Sequence, residues 1–447
     1  MATSTQTDIV VVNVTQTLAA VPSQLQRTAA IISQGGTILP PGSSSILTQL
    51  SDLTPLLAGA QTVTSAVWAS SVVTVTTTAP HGFPSGETIP LTIAGFVPTG
   101  YNGLVQATIT GASTFTYPLI SSPGATTTIG TVTDGDVAEI MAMATTWFAQ
   151  GSATPVYVLE FGNGNAADGI SALAAYVTAN PLAFYTYQCP LEWAANTTAA
   201  TSLATVCRNN ASTTSMVYFI IQAANDPAVW ALFNGIKSAF VMRPTAADFG
   251  QGEFDASVLG YNCVVQQPSA TNKVPPMQFR YALGVTADAL TGPQQVALKQ
   301  AYVNYIATGA EGGIANTLLK WGVTMDGKPF NYWYAVDWMQ INLKLALANE
   351  IINGSNNTIN PLYYNQNGIV RLQKRAQNVV NSGISFGMVL GTASGPLVNA
   401  TSFGDYTTQN PNDYAQGVYN GLSLEFTPQL GFMTIIFNMN VTDFATA

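Results

Sequence analysis

Residues 134–168 read DGDVAEIMAMATTWFAQGSATPVYVLEFGNGNAAD, and this stretch decides the fold. Asp134 or Asp136 can cap a helix whose apolar stripe is Val137, Ile140, Met141, Ala144 and Trp147, with Gly151 as its stop. Pro155 to Phe161 then forms a mostly apolar strand, and Asp168 is the expected cap of a second helix with Ile170, Leu173, Ala174 and Val177 on one face. The pattern repeats downstream. Leu182–Tyr187 and Met216–Ile221 carry strand signals, and Asp226-Pro227 starts a helix with Val229, Leu232, Phe233 and Ile236. Strands alternating with helices predict a sheet covered by helices.

Upstream the composition changes. Between about Ser65 and Thr133 the chain is rich in Thr, Val, Ser and Gly, with turn formers at Pro80-His81-Gly82, Pro84-Ser85-Gly86, Pro98-Thr99-Gly100 and Asn102-Gly103. Short alternating runs with turns at this spacing predict a small all-β module. Before it lie a Gly/Pro/Ser-rich stretch from Gln34 to Ser45 and a β-branched run at residues 8–14. Downstream, Thr291 to about Gly354 reads as mainly helical, interrupted at Trp321-Gly322 and at Asp326-Gly327-Lys328-Pro329. A further helix at Ile369–Val380 carries Arg371, Lys374 and Arg375 on one face, either solvated or meeting an acidic partner. At the C-terminus Met433, Ile435, Phe437, Met439 and Val441 alternate with other residues, which predicts a strand.

Composition bounds the chemistry. Of 447 residues only 8% are charged, with 13 Lys plus Arg against 22 Asp plus Glu and a net charge of −9. Phosphate neutralisation needs clustered Lys and Arg, so nucleic acid is not an expected partner. A charge-poor surface suits a subunit covered by neighbours, because interface cores are depleted of charge. His81 is the single histidine, which excludes multi-His metal sites. Cys189, Cys207 and Cys263 are widely spaced and read as small buried hydrophobes. The first residues, MATSTQTDIVVV, have no basic region, and no apolar run reaches the length of a membrane span, so neither a signal peptide nor membrane insertion is expected.

The motifs are weak. Gly162-Asn-Gly164-Asn-Ala-Ala167 matches the dinucleotide fingerprint GxGxxA after a strand, but Gln188 stands near the place of its acid and the nearest acid is Glu192. The plainer reading is a tight loop into the next helix. Asp134-Gly-Asp136 and Asp326-Gly327 resemble fragments of calcium loops without the other ligands, so a cap and a turn are expected. Trp321, Tyr332, Trp333, Tyr334 and Trp338 form an aromatic cluster with no acidic pair for glycoside chemistry, which favours core packing. No GxSxG or GxxxxGK[ST] occurs.

Residues 312–354, GGIANTLLKWGVTMDGKPFNYWYAVDWMQINLKLALANEIING, resemble the C-terminal part of the tail sheath proteins of contractile bacteriophages. TWFAQGSATPVYVLEFG at 146–162 resembles the α/β part of the same family, and the Thr-rich segment resembles a β-module inserted in phage structural proteins. The resemblance implies a non-enzymatic virion component of α+β or α/β multidomain class, without cofactor. Its sheath-like core would be a mixed sheet covered by helices, with a small inserted all-β domain and extended terminal strands. The expected organisation is a linking arm at 1–20, the first part of the core at 21–65 and the inserted domain at 66–134. An α/β part at 135–290, a mainly helical part at 291–430 and a C-terminal strand or arm at 431–447 follow. Such subunits polymerise as a cylinder around a tail tube and contract to drive it through the host envelope. Implied partners are further copies of the chain, the tube protein, and baseplate and terminator proteins, assembled in the host cytoplasm. Ile9, Val10, Val11, Val12 and Val14, with Met433, Ile435, Phe437, Met439 and Val441, are the expected inter-subunit strand residues. Arg371, Lys374 and Arg375 are expected to face the tube. A baseplate or tube-associated protein is the alternative, and a dinucleotide-dependent enzyme a more distant one.

Overall fold

The computed structural model describes residues 24–151, 154–245, 252–311, 314–391 and 395–433. The chain enters through β1 (Ala29–Ser33) and β2 (Ser44–Leu47). It then leaves into β3 (Gln61–Ala69), β4 (Val72–Thr77), β5 (Thr88–Ala94), β6 (Gly103–Gly111), β7 (Thr114–Pro118) and β8 (Thr131–Asp134). These six strands close into a barrel in the order β3-β4-β7-β6-β5-β8. Alternate residues such as Val73 and Val75, Ile89 and Leu91, Phe115 and Tyr117 fill its interior, and their neighbours face outward, as a period of two dictates. His81 lies inside this module. Its ring stacks on Phe83 and its Nδ1 accepts the Phe83 amide N–H at 3.1 Å. Gln61 pairs with Val132, so the barrel's entry and exit lie side by side; the expected boundary at residue 66 falls within β3.

The α/β part follows: α1 (Gly135–Gln150), β9 (Val156–Glu160), α2 (Ala166–Ala179), β10 (Thr186–Cys189), α3 (Thr197–Asn209), β11 (Tyr218–Gln222), α4 (Pro227–Ala231), β12 (Ala239–Met242) and α5 (Asp255–Val264). With β1 and β2 these strands form one sheet, ordered β12-β11-β10-β1-β9-β2, parallel except for β2 against β9. The strands are apolar on both faces because helices cover both. Ile31, Val158, Tyr218, Ile220 and Phe240 meet α1 and α5 on one side. Ile32, Leu159, Tyr187, Phe219 and Val241 meet α2, α3 and α4 on the other. The three cysteines are free and buried within these layers.

The remaining described elements are α6 (Gly292–Gln300), β13 (Tyr305–Glu311), β14 (Ile314–Lys320), α7 (Phe330–Ser355), α8 (Gln366–Ser385), β15 (Val398–Ala400), α9 (Phe403–Gln409), α10 (Pro411–Gln416) and β16 (Leu422–Leu424). The helical expectation fails at 305–320, where β13 and β14 pair antiparallel from Tyr305↔Lys320 to Glu311↔Ile314. Ala and Leu suit helices, but pairing across the sheet wins, and the Gly312-Gly313 pair between the runs is a hairpin signal.

The first half of α7 closes the sheet's α1 face through Phe330, Trp333 and Tyr334, so most of the aromatic cluster is core. Asp337, completely buried, accepts the Tyr185 and Tyr218 hydroxyls at 2.9 and 2.8 Å and lies 3.8 Å from the Lys237 ammonium. Lys237 in turn donates to the Ser215 carbonyl at 2.5 Å and sits over the Trp333 ring. The second half of α7 leaves the sheet and builds a satellite core with α8 from Met339, Ala376, Val380, Val389 and Val398.

Candidate assembly surfaces

The fingerprint loop lies where β1 is flanked by β9 and β10, the position at which open α/β sheets form a ligand crevice. A cavity of about 430 Å³ opens there, lined by Gly35, Thr37, Pro41, Gly82, Glu160 and Gly162. Its carboxylate, Glu160, is engaged within the chain. Glu160, at the end of β9, accepts the Gly35 and Gly162 amides at 2.7 and 2.6 Å, the Thr37 amide at 3.2 Å, and the Ser33 and Thr37 hydroxyls at 2.7 and 2.6 Å. The cap of α2 is Asn165 and not Asp168: its Oδ1 accepts the Ala167 and Asp168 amides. Asp168 is therefore in the first turn, and the Asn165 side-chain amide donates to Glu87 of the barrel. Gln188, at the place of the fingerprint's acid, donates to the Ser257 hydroxyl at 2.6 Å. The Gly162 amide at the start of the loop and the Ala167 and Asp168 amides at its end are thus taken by Glu160 and Asn165, and the loop fastens the barrel to the sheet.

Arg371, Lys374 and Arg375 all lie on α8, but the fold divides them. Arg371 is drawn back to α7, where Nη2 and Nε donate to Glu350 Oε1 at 2.6 and 3.2 Å and Nη1 donates to the Asn360 carbonyl at 3.1 Å. Lys374 and Arg375 are exposed, opposite the buried side chains of Ile369, Ala376 and Val380. Two of the three expected cations therefore remain available at the surface, while the third braces the helix pair.

The N-terminal strand residues Ile9, Val10, Val11, Val12 and Val14 lie outside the described residues, as do Ile435, Phe437, Met439 and Val441. Met433 is described. Its carbonyl accepts the Gln278 side-chain amide at 2.9 Å, which holds the C-terminal segment beside residues 276–283. Residues 276–283 run along β14: the Phe279 amide donates to the Leu319 carbonyl, the Leu319 amide to the Arg280 carbonyl and the Ala282 amide to the Thr317 carbonyl, each at 2.9 Å. Phe279, Tyr281, Leu283, Leu430 and Phe432 are exposed in these two segments, an apolar border at the place where the C-terminal segment emerges. Sequence reasoning missed Glu160, Asp337 and Lys237. A lone acid within an apolar run, as in PVYVLEF and YAVDWM, is the signal they leave in a chain so poor in charge.

No protein-family model and no curated protein matches the chain. Among solved structures it is similar to a chain of the anti-feeding prophage baseplate, with a TM-score of 0.54 and 13% identity over 97% of this chain and 99% of that one. It is also similar to a chain of the anti-feeding prophage helical sheath in the contracted state, with a TM-score of 0.51 and 12% identity over 95% of each. The chain therefore shares the fold of these baseplate and helical-sheath chains. Within this chain the barrel is set between β2 and α1. Among the described residues no helix is long and apolar enough to cross a membrane.

Proposed function

We propose that this chain is a structural subunit of a contractile tail sheath, which polymerises around a tail tube and contracts to drive that tube through a host envelope. The observation that carries the reading is the likeness over nearly the whole length of both chains to subunits of one contractile assembly. The low charge and the internal satisfaction of the crevice support a structural role over nucleotide chemistry. Under this reading the terminal segments join neighbouring subunits by strand augmentation, through Ile9–Val14 at one end and Met433 to Val441 at the other. The exposed side chains of Phe279, Leu430 and Phe432 support a C-terminal link that starts from this border. Lys374 and Arg375 face the tube. Such charges add register and partner choice more than affinity.

The second reading, a baseplate subunit, is favoured by the slightly higher similarity to the baseplate chain, 0.54 against 0.51. Negative-stain microscopy of the purified full-length protein, alone and with its tube protein, separates the two. Striated cylinders are the expected result. Discrete rings would favour the baseplate, and particles that never assemble would defeat both.

A further inference from the structure

Five carboxylates gather where the barrel hands the chain to α1. Asp134 ends β8, Asp136 and Glu139 lie in the first turns of α1, Glu160 ends β9, and Glu192 lies in the turn Leu191–Ala194 after β10. Two of them are provided for by the chain: Glu160 by its five donors, and Asp134 by the Asp136 amide, which it accepts at 3.1 Å. Glu139 accepts the Leu191 amide at 2.6 Å. Asp136 is different. It is only 5% exposed and its Oδ1 has no hydrogen-bond partner. Its carboxylate faces Glu139 and Glu192, and one oxygen from each of the three lies within 4.8 Å of the others.

Burying an unpartnered carboxylate oxygen among like charges is costly, and a cation at the centre removes that cost. The charged groups acting on Asp136 are Asp134, Glu192, Glu139 and Glu160, all acidic. Oxygens that share one calcium ion at about 2.3–2.6 Å lie at most about 5 Å apart, which this spacing satisfies. Glu192 is half-buried, at the edge of the group. We propose that Asp136, Glu139 and Glu192 bind a hard divalent cation of the calcium class, with water completing the shell, and so tie the barrel–helix junction to the turn after β10. The Asp134-Gly-Asp136 segment lacks calcium-loop ligands in sequence. The fold supplies them from one helical turn further along and from another strand's end.

The titration of the cluster provides the contrast for the test. Burial, then repulsion from the neighbouring acids, holds Asp136 and Glu139 well above the carboxylate range, and burial raises Asp134 and Glu192 to about 7. Without metal the native state thus keeps protons that the unfolded chain releases, and stability falls as pH rises above about 4, through about 7 for Asp134 and Glu192. A cation takes over from those protons at higher pH.

The experiment uses the full-length protein freed of metal with EDTA. At pH 8 added Ca²⁺ is expected to raise the melting temperature by about 3 °C, with little effect at pH 5. Tb³⁺ is expected to emit when tryptophan is excited, because Trp193 adjoins Glu192, and Ca²⁺ should quench that emission by competition. Asp136→Asn and Glu139→Gln mimic the protonated acids, so both variants should fold and should lose the Ca²⁺ shift and the Tb³⁺ signal. A wild type with neither response at pH 8, or responses unchanged in both variants, overturns the proposal. If only the fall in stability from pH 5 to 8 is seen, the cluster is a proton-sharing network and not a metal site.

Discussion

Two buried acids hold elements that are distant in sequence, and both can be tested by substitution. Glu160 fills both of its oxygens with donors from β1, the segment after it and Gly162. In Glu160→Gln the hydroxyls of Ser33 and Thr37 can turn to accept from the new amide, but the Thr37 N–H is left without an acceptor. The expected loss is about 1–3 kcal/mol, read as a lower midpoint in urea with an unchanged slope. Asp337→Ala leaves the Lys237 ammonium and the Tyr185 and Tyr218 hydroxyls buried without their shared acceptor. Removing one partner of a buried pair costs about 3–5 kcal/mol, so this variant should melt well below the wild type. A melting temperature within a degree of the wild type would show that α7 is held by its aromatic residues alone.

At the level of elements, α8 and the barrel make opposite predictions. Lys374→Glu with Arg375→Glu alters only exposed side chains and should change stability by less than about 0.5 kcal/mol while impairing decoration of the tube. Arg371→Ala removes the brace to Glu350 and Asn360 and should cost about 1 kcal/mol. Comparing thermal melts with cosedimentation on tubes separates the two effects. Normal decoration by the double reversal would remove α8 from the tube contact. The barrel has its own core, and Gln61 faces Val132, so replacing residues 62–131 with a short Gly/Ser loop spans a small gap. Pro90 sits against Gly135, where a Cβ would come within 2.8 Å of it, and Glu87 meets Asn165. The shortened protein loses those contacts but keeps the sheet, and should retain a cooperative melt. Aggregation without any such melt would show that the barrel is required for the core to fold.

Across the whole molecule, the reading of the chain ends predicts that assembly and folding are separable. Deleting residues 1–14 should leave the melting temperature unchanged and abolish polymers in the microscope, because the described core residues begin at Leu25, beyond the deletion. About five backbone hydrogen bonds per link, each worth roughly 0.5–1.5 kcal/mol, would be lost with the arm. Polymers formed by the deletion variant would rule out arm exchange at that end.

The sequence by itself determined the elements whose signals are local. Helix α1 with an Asp cap at 134 or 136 and its Gly151 stop, the apolar strand β9, the Asp226-Pro227 start of α4 and the alternating barrel strands follow from periodicity and end-residue chemistry; the structure chose Asp134 as the cap. Only the tertiary structure decided what depends on residues far apart. The β13–β14 hairpin prevails over helix-forming residues because its bonds run across a sheet. Arg371 parts from Lys374 and Arg375 because Glu350 is on another helix. The GNGNAA loop becomes a fastening because Glu160 takes its first amide, Asn165 takes its last, and the Asn165 side chain reaches Glu87 of the barrel. Glu192 joins Asp136 and Glu139 because β10 ends beside the start of α1, a proximity that no local spacing encodes.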